Sequence, residues 1–152
     1  MSLDPGTPAP DFTLFSHKRE QISLADLKGQ KSMIVFVPYP FTRVCTAELC
    51  DLRDNLSSLD QAGARVVVIT THALSTNAEW VRQNGFTFDV LADYWPHGAV
   101  SLAYDAFDER FGYSTRVTYF LDADGVIRNV SESLVLGEAR DHSSYPGMLE
   151  GY

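Results

Sequence analysis

Residues 33–50 read Met-Ile-Val-Phe-Val-Pro-Tyr-Pro-Phe-Thr-Arg-Val-Cys-Thr-Ala-Glu-Leu-Cys, and they encode the two elements around which the rest of the chain is organised. The first five residues are continuously apolar, which is typical of a strand that is buried on both faces. Pro38 and Pro40 end that strand, and Thr42 stands where the N-cap of a helix belongs. The stretch therefore predicts a buried strand that turns directly into a helix, which we expect to run from Thr42 to about Leu59.

Strand and helix patterns alternate along the remainder of the chain. The elements that we expect are an edge strand over 11–15, a helical turn over 23–28, a buried strand over 64–70, helices over 77–84 and 98–107, and a hairpin of strands over 116–121 and 126–131. The tail over 138–150 is ambiguous because Pro146 and Gly147 interrupt any helix. This alternation, with a hairpin near its end, predicts an α/β three-layer domain with a mixed central sheet.

Length and charge set limits on the class of protein. The chain has 152 residues, with 12 Lys and Arg against 20 Asp and Glu, for a formal net charge of −8. We expect one domain, residues 1–152, because this length is typical of a single core. The negative balance argues against nucleic acid or an anionic membrane as the main partner. The first ten residues lack the basic and then apolar pattern of a secretory signal, so we expect a cytoplasmic protein.

Cys45 occupies the position that is best suited to chemistry. With Thr42 as N-cap, it is the third residue of the predicted helix, where unpaired backbone N–H groups and the helix dipole favour an anion. Thiols at helix N-termini generally ionise more readily than free thiols, and the thiolate is the nucleophile. Cys45 also belongs to the apolar stripe of its helix, so we expect it to face inward near the end of the central strand. An isolated cysteine is, however, often only a small buried hydrophobe.

Cys50 is the second of two cysteines in the chain. In an ideal helix the Cα atoms of Cys45 and Cys50 lie roughly 8.6 Å apart. A disulfide rarely spans more than about 7 Å between Cα atoms, so a bond between the two requires the helix to unwind. From the residues alone, Cys50 is either a second redox thiol or a bystander.

One sequence pattern, Pro38-x-x-x-Thr42-x-x-Cys45, resembles the active-site signature of the peroxiredoxins, which are thiol peroxidases with a thioredoxin-like fold. Glu48 and Arg116 fit the extended form of that signature. The opening Gly6-x-x-Ala-Pro-Asp-Phe-Thr-Leu14 is also typical of the family, and the resemblance runs over roughly residues 6–140.

Two subgroup signals point in different directions. Residues 95–101 and 136–141 resemble the alkyl hydroperoxide reductase E type, whose pattern has one cysteine. The Cys45-x-x-x-x-Cys50 spacing instead resembles peroxiredoxin Q, the bacterioferritin comigratory protein type, in which the second cysteine resolves the first. Both signals imply the same first step at Cys45.

The resemblance implies a role for each residue of the signature. Cys45 is expected to attack a peroxide, with Arg116 and Thr42 binding the peroxide oxygens, Pro38 shielding the sulfur and Glu48 orienting Arg116. Residues expected to line the substrate pocket are Tyr39, Phe41 and Val44. Residues expected at a homodimer contact are Trp95, His97 and Tyr104.

The implied reaction reduces hydrogen peroxide or organic hydroperoxides and needs no metal or organic cofactor. The implied partners are a thioredoxin-type or other thiol reductant and a second copy of the chain.

Two other functions are compatible with parts of the pattern. A thioredoxin-like dithiol–disulfide oxidoreductase normally has Cys-x-x-Cys and a cis-proline before the strand that faces its active site, whereas Ser114-Thr-Arg-Val has no proline. The other alternative is a non-enzymatic metal-binding or redox-sensing module, in which a zinc site would need about four ligands at chelating spacings. The histidines, His17, His72, His97 and His142, are instead scattered along the sequence.

Overall fold

The computed structural model describes residues 2–133 together with Gly147 and Leu149. The strands are β1 (Thr13–Ser16), β2 (Gln21–Ser23), β3 (Lys31–Phe36), β4 (Ala64–Thr70), β5 (Asp89–Ala92), β6 (Phe107–Asp108), β7 (Tyr113–Ser114), β8 (Arg116–Leu121) and β9 (Ile127–Ser133). The helices are α1 (Leu24–Leu27), α2 (Arg43–Asp54), α3 (Leu56–Gln61), α4 (Leu74–Asn84) and α5 (Ala99–Ala103).

Seven of the strands form one mixed sheet in the order β2-β1-β5-β4-β3-β8-β9. β3, β4 and β5 are parallel to one another, whereas β8 runs antiparallel to both β3 and β9. β3 therefore lies inside the sheet, with β4 on one side and β8 on the other. This position explains why residues 33–36 are apolar without interruption.

Alternate residues of β3 point into two separate cores, because side chains alternate across a strand. Met33 and Val35 join the core that also contains Cys45 and Trp80. Ile34 and Phe36 join the core on the opposite face of the sheet. The α/β prediction with a mixed central sheet flanked by helices is thus confirmed.

The helix predicted to run without a break from Thr42 to Leu59 is in fact two helices. It is interrupted at Asn55, whose φ is −107° and whose side-chain amide donates to the carbonyl of Asp51 at 2.8 Å. Asparagine competes in this way with backbone hydrogen bonds, which makes it a poor residue inside a helix.

Other predicted boundaries are also corrected. β1 is not an edge strand, since it pairs with both β2 and β5. α4 begins at Leu74 and α5 covers only Ala99–Ala103. The strands β2, β5, β6 and β7 were not predicted, because segments of two to four residues carry little periodicity.

Some sequence features lie outside the described residues. These are the 136–141 segment, His142 and the tail beyond 138, apart from Gly147 and Leu149. Within the part of the chain that is described, no helix combines the length and apolarity needed to cross a membrane.

Replacement of Leu52 by Ala tests whether α2 is held by its buried face. Leu52 is buried in the core beneath the sheet, so we expect the substitution to lower the free energy of unfolding by about 2–5 kcal/mol. Chemical denaturation followed by circular dichroism measures this loss. The matched control is Ser57→Ala on α3, whose side chain is exposed, and we expect a change within about 0.5 kcal/mol. Equal losses in the two variants would contradict the packing described for α2.

Candidate active site

Residues 38–42 form a tight connection from β3 into α2. Pro38 is buried directly beyond the strand, and the backbone of Phe41 adopts a φ of +67°. Residues other than glycine rarely occupy this left-handed region, and such backbone is found mainly where surrounding structure enforces it. The turn brings the first residue of α2 back toward the end of β3.

Cys45 is the third residue of α2, as predicted, and it is completely buried. Thr42 occupies the N-cap position, but its side chain makes no capping hydrogen bond. Its hydroxyl donates instead to the carbonyl of Tyr39 at 3.0 Å. Thr42 is therefore the N-cap by position, as predicted, but it does not cap the helix through a side-chain hydrogen bond. Its hydroxyl oxygen accepts no hydrogen bond from the backbone N–H groups at the start of α2.

Arg116 reaches this helix from the neighbouring strand. Phe36 pairs with Val117, so the first residue of β8 lies beside the end of β3. The Arg116 guanidinium donates through Nη1 to Glu48 Oε1 at 2.6 Å, and the two side chains are 4% and 0% exposed. Glu48 follows Cys45 by three residues and therefore lies on the same face of α2. The structure thus brings Cys45, Glu48 and Arg116 together although Arg116 is distant in sequence.

A cleft of about 280 Å³ opens at this junction. The described residues that line it are Pro38, Tyr39, Thr42, Arg43, Val44, Cys45 and Arg116. Every residue of the sequence-predicted pocket except Phe41 is among them. The Phe41 ring instead lies near Trp80, with 6.4 Å between ring centroids. The expectation that Phe41 lines the pocket is corrected accordingly.

Aromatic rings support Tyr39 on one side of the cleft. The Tyr39 ring makes edge contacts with His72 and Tyr113, at centroid distances of 5.1 and 4.9 Å. The Nδ1 atom of His72 is buried and has no hydrogen-bond partner within the described structure. Burial, and to a smaller extent the neighbouring His97, lower the pKa of His72 below its usual value of 6.5. The neutral imidazole is therefore favoured, and it packs as an aromatic ring against Tyr39.

Cys50 lies outside the cleft, on the flank of α2 that faces α4. Both cysteines are free thiols, and the helix that carries them is continuous from Arg43 to Asp54. The Cys50 Sγ lies 3.8 Å from Asn84 Oδ1. The structure therefore separates the two thiols in the way that the ideal-helix geometry predicts.

The residues expected at a dimer contact fall into two environments. Trp95 is 84% exposed, and His97 lies at the surface with Nε2 2.6 Å from the carbonyl oxygen of Gly112. Tyr104, in contrast, is fully buried, and its hydroxyl donates to the carbonyl of Pro10 at 2.6 Å. The Tyr104 side chain is thus a core residue, and its expected place at a subunit contact is wrong.

Three residues at the site were not singled out by the sequence. Arg43 lines the cleft and is the first residue of α2, so its place beside the N-cap was a usable signal. His72 and Tyr113 come together with Tyr39 only through the sheet topology, and no local pattern marks them. Among the described residues, no group of three His, Cys, Asp or Glu side chains is placed to hold a metal ion.

Comparison with known proteins agrees with this geometry. Residues 5–130 match the AhpC/TSA family. The chain belongs to this family. It is 40% identical over 148 residues to alkyl hydroperoxide reductase E of Mycobacterium bovis, covering 97% of this chain and 96% of the relative. It is 32% identical to a bcp-type peroxiredoxin of Coxiella burnetii, covering 86% and 89% of the two chains.

Solved structures of peroxiredoxins share the fold. The crystal structure of Enterococcus faecalis AhpC superposes with a TM-score of 0.88 at 21% identity, covering 96% of this chain and 90% of that one. The crystal structure of BcpB from Mycobacterium tuberculosis gives a TM-score of 0.85 at 22% identity. The family, the thioredoxin-like fold and the thiol peroxidase function inferred from the sequence are confirmed.

Replacement of Glu48 by Gln tests the buried ion pair of this AhpC/TSA protein. The substitution removes the negative charge of Glu48 from its buried pair with Arg116. Because neutralising one partner of a buried ion pair is costly, we expect the free energy of unfolding to fall by about 3 kcal/mol.

The matched control is Glu79→Gln, which removes the carboxylate of an exposed pair with Arg82 on α4. Exposed pairs contribute little to stability, so we expect no measurable change in that variant. Urea denaturation of both variants at pH 7 makes the comparison. A Glu48→Gln protein as stable as the native one would show that the pair does not hold α2 against β8.

Proposed function

We propose that the chain reduces hydrogen peroxide and organic hydroperoxides with Cys45 as the reacting thiol. The observation that carries the proposal is the cleft itself, which is lined by Cys45, Arg116 and the start of α2. A nucleophile, a guanidinium and the positive end of a helix dipole are the groups that thiolate attack on a peroxide requires. Two electrons come from the sulfur, so the reaction needs no metal or organic cofactor.

In the proposed reaction, the Cys45 thiolate attacks one peroxide oxygen and the O–O bond breaks. The sulfur becomes a sulfenic acid, and the other oxygen leaves as hydroxide or alkoxide and takes up a proton. Negative charge moves from sulfur to the leaving oxygen during this step. Donors that are already fixed in place stabilise that charge without having to reorganise.

The side chains around Cys45 supply such donors. Arg116 is fixed by Glu48 and offers its guanidinium N–H groups to the peroxide oxygens. The Thr42 hydroxyl donates a hydrogen bond to the Tyr39 carbonyl, so its oxygen remains able to accept a hydrogen bond from the peroxide. The backbone N–H groups of Val44 and Cys45, in the first turn of α2, are proposed to assist as further donors. Pro38 shields the sulfur from bulk water.

Recycling is proposed to begin with Cys50. Its thiol condenses with the Cys45 sulfenic acid, forming a disulfide and releasing water, and a thioredoxin-type dithiol then reduces the disulfide. Free thiols and a thiol reductant are characteristic of reducing compartments, so we place the reaction in the cytoplasm. If Cys50 does not take part, the external thiol reduces the sulfenic acid directly.

We also propose a homodimer that forms through the exposed aromatic face around α5. Tyr94, Trp95, Leu102 and Phe111 are large apolar side chains on that face, and all are more than half exposed. Exposed apolar clusters of this kind, rich in Trp and Tyr, are typical of protein–protein contacts.

Replacement of Cys45 by Ser tests the reacting thiol. Serine is nearly isosteric but has a poorly ionised hydroxyl, so we expect loss of peroxidase turnover with both hydrogen peroxide and cumene hydroperoxide. Peroxide consumption with a thioredoxin system measures turnover, and circular dichroism establishes that the variant is folded. A Cys45→Ser protein that still turned over peroxide would overturn the assignment.

Replacement of Cys50 by Ser separates oxidation from resolution. We expect intact mass spectrometry of the native protein, quenched after less than one equivalent of hydrogen peroxide, to show loss of two hydrogens. The Cys50→Ser protein should instead gain one oxygen on Cys45, at a similar rate, and should lose turnover with thioredoxin.

The native protein serves as the control for the rate of oxidation. Gain of oxygen without loss of hydrogens in the native protein would make Cys50 a bystander while leaving Cys45 as the reacting thiol.

A further inference from the structure

Arg43 is an exposed cation at the cleft that the peroxidase chemistry described above does not use. It is the first residue of α2 and lines the cleft together with Cys45 and Arg116. Within the described part of the chain it makes no ion pair or side-chain hydrogen bond. Its charge is therefore available to a ligand.

Most of the other arginines among the described residues are paired with a carboxylate. Five of them each lie within 4 Å of a carboxylate, namely Arg53, Arg65, Arg82, Arg110 and Arg128. Arg116 is paired as well, because Glu48 compensates its buried charge. In a chain of net charge −8, carboxylates are abundant. Among the described arginines, Arg43 shares the lack of a carboxylate partner only with Arg19, which lies in the turn between β1 and β2 and does not line the cleft.

The position of Arg43 is also unfavourable for the helix itself. A cation is stabilising near the C-terminus of a helix and destabilising near the N-terminus, where the dipole is positive. The first turn of α2 contains Arg43 and no acidic residue. Two positive contributions therefore add at the mouth of the cleft, and an anionic group on a ligand would reduce their repulsion.

The remaining walls of the cleft are suited to an apolar body. Pro38, Tyr39 and Val44 line it, and the Tyr39 ring is held by its contacts with His72 and Tyr113. A volume of about 280 Å³ exceeds what hydrogen peroxide alone needs and is near the lower limit for small-molecule sites. The cleft thus combines an apolar wall, a cationic rim and a thiol at its base.

We propose that Arg43 makes the enzyme selective for organic hydroperoxides that carry a carboxylate. This inference rests on the peroxidase function proposed above and names the substrate class of the same cleft. The hydroperoxide group reaches Cys45, the apolar body lies against Tyr39, and the carboxylate stays at the rim beside Arg43. Arg43 acts on binding and on the rate of encounter, because steering by an exposed charge accelerates association with an oppositely charged ligand.

Two matched probes test the proposal, namely cumene hydroperoxide, which is neutral, and its para-carboxylate derivative, which is an anion at pH 7. The quantity measured is the second-order rate constant for oxidation of the reduced protein in a single turnover. The ratio of the anionic to the neutral rate constant is then compared between variants. Any change in the reactivity of the thiol affects both probes alike and cancels in this ratio.

We expect the native protein to favour the anionic probe and Arg43→Gln to lower the ratio by about two- to fivefold, as is typical for one exposed charge. Arg43→Glu should lower it further, whereas Arg43→Lys should keep most of it. Added salt should reduce the ratio in the native protein and have little effect in Arg43→Gln. The matched control is Arg82→Gln, which makes the same change in net charge on α4, away from the cleft, and should leave the ratio unchanged.

The outcomes separate this inference from the function on which it rests. If neither probe nor hydrogen peroxide oxidises the reduced native protein, the peroxidase proposal fails. If both probes react but the ratio is the same in the native, Arg43→Gln and Arg43→Glu proteins, the peroxidase proposal stands and the role of Arg43 is overturned. An equal fall of the ratio in the Arg82→Gln control would show that the preference depends on net charge. That result would also overturn the role of Arg43.

Discussion

Two opposite charges, on Glu48 and Arg116, are held inside the protein 2.6 Å apart, and neither side chain is more than 4% exposed. Burying one of them alone would cost several kcal/mol, so α2 and β8 cannot separate or rotate independently without a large penalty. Since Cys45 lies one turn before Glu48 on the same face, the pair also fixes the direction of the thiol. Buried ion pairs often add little net stability compared with apolar replacements, and the contribution of this one is best understood as geometric.

The sheet determines which residues can surround that pair. β3 and β4 are parallel, so the segments that follow them emerge at the same edge, and β8 begins there because it runs antiparallel to β3. Tyr39 follows β3, His72 follows β4 and Arg116 begins β8. Three segments that are far apart in sequence therefore meet at one end of the sheet, which is where ligands commonly bind in α/β folds.

Much of this arrangement was predictable from local pattern. β3 and β4 contain uninterrupted apolar runs at residues 33–36 and 66–69, and β8 is rich in apolar and β-branched residues. The prolines after residue 37 mark the turn that places Cys45 in the first turn of α2. The Arg116–Glu48 contact joins residues 68 positions apart, and it was anticipated from a family signature rather than from periodicity.

The failures have physical causes as well. Thr42 occupies the N-cap position without a side-chain capping hydrogen bond, because its hydroxyl donates a hydrogen bond to the nearby carbonyl of Tyr39 instead. The family resemblance placed Tyr104 at a dimer contact. Aromatic residues are common both in protein cores and at interfaces, so the sequence does not distinguish the two environments. The contacts of His72 and Tyr113 with Tyr39 arise from tertiary structure, which no single segment encodes.

The same contacts that position Cys45 oppose the proposed disulfide with Cys50. α2 is tethered to α4 on both sides of Cys50, through the Trp80 indole N–H to Thr46 Oγ1 at 3.1 Å and the Arg53 guanidinium to the carbonyl of Asn84 at 2.6 Å. Unwinding confined to the residues before Cys50 would keep the second tether and break the first. It would also separate Glu48 from Arg116 and so break a buried ion pair, which is costly. Resolution is therefore costly as long as Arg116 stays buried, and a shift of Arg116 toward solvent, or toward an anion in the cleft, would lower that cost.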